Sequence, residues 1–207
     1  MKAGGERRPC PVPGFERAPR KQATTELAEL AKMLGEFVER GFKVIAMSCN
    51  SRTSHEKWIK ETEALLDCSV DFPLVADANA AISRDFGLVR HGESPAVRAL
   101  VDASLVVIAG PDRLIRAHWQ YPSSTGRNFH EILRTIDTIQ LAHDNPSLAC
   151  GVNWMQGEDV FIANKVSPAD AKTTFPKGFV EIRPWFRLTP APDPSAGPDQ
   201  PGDASAT

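Results

Sequence analysis

The run "FKVIAMS" at 42–48 constrains this chain most. Apolar residues fill it with little alternation, so as a strand it would bury both faces, and a strand of that kind sits inside a layered sheet. The flanking sequence supplies the layers. Before it, "TTELAELAKMLGEFVERG" carries Leu27, Leu30, Leu34, Phe37 and Val38 at helical spacing, with Thr24 or Thr25 as N-cap and Gly41 as C-cap. After it, "TSHEKWIKETEALL" offers Trp58, Ile59, Leu65 and Leu66 for burial, with Thr53 and Glu56 at capping-box spacing.

The alternation continues with a strand at "FPLVAD" (72–77) and a short helix around "NAAISRDFG", and then the pattern changes. "ASLVVIAG" and "IRAHWQYP" flank the turn signal "PDR", which reads as a hairpin, and a helix follows from Asn128 to about His143. Early crossovers with a late hairpin imply an α/β fold, a mixed sheet with helices on its faces. Four segments are expected: an irregular N-terminus at 1–23, a core at 24–144, a small module at 145–189 with one helix near "SPADAKTTF", and a disordered acidic tail at 190–207 that has no Lys or Arg.

Composition removes several function classes. A net charge of -2 gives no basic excess for nucleic acid. The longest apolar runs, such as "LVVIA", are too short to span a bilayer, and "MKAGGERRPCPVPG" lacks the apolar stretch of a secretory signal, so the expected location is the cytoplasm. Cys10, Cys49, Cys68 and Cys150 lie far apart, with no C-x-x-C and no histidine at ligand spacing. They read as separate thiols in a reducing compartment, with no metal and no cofactor.

The stretches "TTELAELAKMLGEFVERGFKVIAMSCNS…HEKWIKE", "FPLVADANAAISRDFGLV", "GPDRLIRAHWQYPSSTGRNFHEILRTIDTIQL", "VNWMQGEDVFI…FPKG" and "RLTP" resemble, in that order, the 1-Cys (Prx6-type) peroxiredoxins. The resemblance runs from about Thr24 to Pro190. It implies a thioredoxin-like mixed sheet with flanking helices plus the small C-terminal extension of that family. It also implies a chemistry, the reduction of hydrogen peroxide and organic hydroperoxides by a cysteine thiolate at the start of the first long helix. A helix N-terminus and a nearby arginine favour the thiolate and stabilise charge on the departing oxygen, and a thiol such as glutathione then reduces the sulfenic acid. Family members pair as dimers, so a homodimer or a heterodimer with another peroxiredoxin is the implied partner.

Against the family motif P-x-x-x-T-x-x-C, laid on without gaps, the cysteine position is Ala23, the threonine position Arg20 and the proline position Glu16. Glu26 and Arg127 remain from the surrounding shell. The second family arginine is replaced by Ser104, and Arg98 lies six residues earlier. Arg127 has two readings: a donor around the peroxide site, or a surface arginine pairing with Glu26 or a helix carbonyl. Cys49, just past a strand end where ligands often bind in open α/β sheets, is the alternative thiol; its plain reading is a small buried hydrophobe.

The resemblance also implies about three strands before the cysteine, one of them central, and residues 1–22 have no strand period to supply them. The expected chain therefore lacks its N-terminal strands, as though that front had been replaced, and is marginal as a monomer unless it borrows a strand. The resulting expectation is a 1-Cys peroxiredoxin family member that is inactive or strongly impaired, the alternative being a non-catalytic interaction protein that pairs with a full-length relative.

Overall fold

The computed structural model describes residues 21–88, 103–122 and 124–192. Arg98, Cys10, Glu16, Arg20 and the tail beyond Pro192 lie outside them. Backbone proximity divides the chain into two compact, interleaved units, the first built on 1–35, 43–105 and 120–126 and the second on 36–42, 106–119 and 127–207.

In the first unit, α1 (Lys21–Lys32) and α3 (Arg52–Leu66) pack together, and α3 also meets β2 (Leu74–Ala76). Leu27, Trp58 and Phe72 form the core here, with Leu30, Ile59 and Leu74 against it. β1 (Ala46–Ser48) pairs with β2 in parallel, Ala46 opposite Leu74 and Ser48 opposite Ala76. A parallel neighbour needs a crossover, and α3 is that crossover. Asp77 accepts from Ile82 N, Ser83 N and Ser83 Oγ, which fixes the start of α4 (Ala81–Asp85).

Several local expectations are corrected. α1 starts at Lys21, which puts Thr24 and Thr25 inside the helix; the Thr25 hydroxyl donates back to Gln22 O at 2.8 Å instead of capping. The single helix expected over this stretch breaks after Lys32 and resumes as α2 (Leu34–Glu39), ending before Gly41, whose φ of 74° suits glycine. Ser51 caps α3, its Oγ accepting from Ser54 N at 3.2 Å. Thr53 lies within that helix, and Glu56 is taken by Arg52 at 3.0 Å, so no capping box forms there.

β3 (Ala103–Ala109) and β4 (Ile115–Pro122) form the expected hairpin, closed by Arg113 N to Gly110 O and Gly110 N to Leu114 O. In the second unit, Asn128 caps α5 (Phe129–Asp144), its side chain accepting from Glu131 N. A four-stranded antiparallel sheet follows in the order β5-β6-β8-β7, from β5 (Leu148–Ala149), β6 (Val160–Ile162), β7 (Val180–Arg183) and β8 (Phe186–Thr189). α6 (Pro168–Thr174) precedes β7, capped by Ser167. Leu148, Val160 and Ile162 bury the inner face with Trp154, Val166 and Ala171. The outer face carries a cross-strand row, Ala149, Phe161, Leu188 and Val180, with the Phe161 and Phe186 rings 4.9 Å apart.

Candidate functional site

Ala23, the residue expected at the nucleophile position, lies in the first turn of α1, and its methyl packs against the Leu27, Trp58 and Phe72 cluster. A methyl has no lone pair to offer an electrophilic oxygen. Thr24, the next residue, accepts the Trp58 indole N–H on its Oγ1 at 3.1 Å, which ties the start of α1 to α3. Glu26 is buried on the same helix, and both Thr24 and Glu26 are engaged by partners. Arg127 immediately precedes the Asn128 cap of α5, half-buried and likewise engaged. Ser104, expected to replace the second arginine, stands on β3 and is half-buried.

Cys49 does sit just past the end of parallel strand β1, as its place in the sequence implies. Its Sγ lies 3.4 Å from Ser83 Oγ, and the Ser83 hydroxyl donates to Asp77 Oδ2 at 2.7 Å. Burial raises the Asp77 carboxyl, but the Ser83 hydroxyl and the amides of Ser83, Ile82 and Ala81 outweigh it, and the net shift is below the usual carboxylate range. Asp77 is therefore a carboxylate at neutral pH, and it holds the one proton Ser83 can give. In the Cys49–Ser83 contact the thiol must then be the donor.

On the other side of β1, Ser48 Oγ accepts from Asn50 N at 3.3 Å and meets His55 Nε2 at 2.6 Å. His55 is 3% exposed, its Nδ1 has no partner among the described residues, and burial lowers its pKa. This is a neutral, packed histidine with its ring centroid 6.4 Å from that of Trp58. Sequence reading gave His55 no role and missed Asp77 and Ser83. Asp77 had a signal, a lone acid directly between a strand and a short helix; the contact of Ser83 with Cys49 spans 34 positions and had none.

In the second unit, burial pushes the Cys150 thiol up despite the opposing pull of Arg134. Arg134 is committed to Glu131, with bonds of 2.6 and 2.8 Å. A cleft of about 850 Å³ is lined by Arg40, Asp137, Gln140, Trp154, Phe175 and Lys177 among others, with no cysteine or histidine in its wall. Its strongest charges cancel, since Arg40 Nε meets Asp137 at 2.7 Å. Among the described residues no three His, Cys, Asp or Glu side chains gather as a metal site, and no helix is long and apolar enough to cross a membrane.

A family model described as the AhpC/TSA family matches residues 15–112. The 1-Cys peroxiredoxin of Dictyostelium discoideum is 36% identical over 170 residues, 82% of this chain and 68% of that protein. Peroxiredoxin-6 of Rattus norvegicus is 36% identical, covering 82% of this chain and 79% of its own length. Among solved structures, a yeast mitochondrial 1-Cys peroxiredoxin superposes with a TM-score of 0.73 at 31% identity, over 83% of this chain and 81% of that one. Peroxiredoxin 6 of Arenicola marina gives 0.72 at 31%, over 86% and 83%.

Proposed function

Because the chain belongs to the 1-Cys peroxiredoxins of the AhpC/TSA family, we propose that it keeps the family's thioredoxin-like frame without the step that defines the family. In that step a thiolate sulfur bonds to one peroxide oxygen, the O–O bond breaks, and the electron pair leaves on the other oxygen, which takes a proton; a second thiol then reduces the sulfenic acid. The observation that carries the reading is Ala23, a methyl packed among Leu27, Trp58 and Phe72 where the motif puts its sulfur. Glu26 and Arg127 are then what remains of a shell around a reaction centre this chain does not hold. Cys49 does not replace it, since its thiol donates to a serine oxygen whose own proton is spent on Asp77.

The test is peroxide consumption by the full chain with glutathione as reductant. Turnover is expected at the rate of the protein-free control, for hydrogen peroxide and for an organic hydroperoxide alike. Rapid, selective oxidation of a single thiol by one equivalent of peroxide would overturn the reading, and loss of that oxidation in Cys49→Ala would make Cys49 the nucleophile. The alternative, a non-catalytic protein that pairs with a full-length peroxiredoxin, is favoured by the apolar outer row of the C-terminal sheet; co-sedimentation with such a relative at micromolar concentration is its test.

A further inference from the structure

The inner face of the C-terminal sheet carries a buried charge. Along β8, Arg187 and Thr189 turn inward with Val160 and Ile162 of β6, and Arg187 is 2% exposed. Thr189 is satisfied there, its Oγ1 donating to Gly178 O at 2.9 Å. Arg187 is satisfied on one nitrogen: Nη2 donates to Val166 O at 2.7 Å and, more weakly, to Ala163 O at 3.4 Å. Nε and Nη1 are buried and have no acceptor among the described residues. Both acceptors of Nη2 are neutral carbonyls, while Glu181, the residue opposite on β7, stays exposed. A guanidinium keeps its charge inside a protein, so this site is not relieved by losing a proton, as a buried lysine or histidine is. Carbonyl dipoles offset part of the cost of taking that charge out of water, and each orphaned N–H adds to it. A water would accept a hydrogen bond but bring no charge; an anion does both.

We propose that the Arg187 guanidinium is a binding site for a small inorganic anion, held by Nε and Nη1 where β8 faces the 163–166 turn that leads into α6. Burial sets the size, since a side chain 2% exposed leaves no approach for a large organic acid. Chloride, which sheds its hydration more readily than phosphate, is the probe for that class. The bound ion fastens β8 to the turn before α6, which makes it a structural ligand of the C-terminal sheet. This proposal goes beyond the peroxidase question and is independent of it.

Two titrations of the full chain test it, both replacing sodium gluconate by sodium chloride at constant ionic strength, so that general screening does not change. In nitrogen–proton NMR spectra the Arg187 side-chain Nε–H signal, assigned through its own backbone, is expected to shift saturably. In urea, the unfolding equilibrium constant is expected to fall about tenfold once chloride reaches about ten times its dissociation constant, and Arg187→Met to lose that saturable response. An Arg187 Nε–H signal that stays put, or that drifts without saturating, overturns the proposal. So does saturable stabilisation that Arg187→Met retains, since that places the ion elsewhere. Should Arg187→Met fail to fold, the Nε–H signal of the unaltered chain decides alone: saturable, or not.

Discussion

Ser83 has one hydroxyl proton, and Asp77 takes it at 2.7 Å. Ser83→Ala removes a donor from a buried carboxylate while leaving its backbone amide donors, so it should cost about 1.5–3 kcal/mol in urea unfolding at neutral pH. His55 makes a second prediction at this scale. Its folded pKa is lowered by burial, so below about 6.5 the unfolded chain binds a proton that the folded chain refuses. The contribution is therefore complete above that pH and is lost as pH falls from there toward the lowered folded value. Within that window the slope from this residue approaches about 1.4 kcal/mol per pH unit, and His55→Leu should flatten it. Denaturant titrations between pH 8 and 5 decide; an unchanged slope in the variant would assign the pH dependence to other groups.

Helix ends are where this sequence was hardest to read, and the α5 cap is the exception. Asn128 was expected to open that helix and does, its side chain accepting from Glu131 N at 3.2 Å. Asn128→Ala should lower thermal stability by about 1 kcal/mol and Asn128→Ser by much less. The α3 start misled because Thr53 and Glu56 have the right spacing, while Ser51, two residues earlier, already satisfies Ser54 N. At α1 the threonines looked like caps, and the helix simply begins earlier, at Lys21. Both misses share a cause. A hydroxyl near a helix start can cap or lie inside, and the choice depends on how the preceding residues approach, which periodicity does not encode. Strand existence was legible from apolar runs, but strand length was not: "FKVIAMS" gives three paired residues because β2 offers three to pair with.

For the molecule as a whole, the family frame was legible because its motifs are spread from Thr24 to Pro190. The surroundings of Cys49 were not, because they assemble from β1, α4 and the Asp77 turn through contacts distant in sequence. The cross-strand row of the C-terminal sheet was also hidden, as it follows from register rather than from any one segment. That row governs how the protein behaves in bulk. With Val180 62% and Trp185 65% exposed beside Phe186, the sheet presents a greasy stripe that lyotropic salts drive out of water. Ammonium sulfate should bring this protein down, and phenyl resin retain it, at concentrations that Val180→Lys raises measurably.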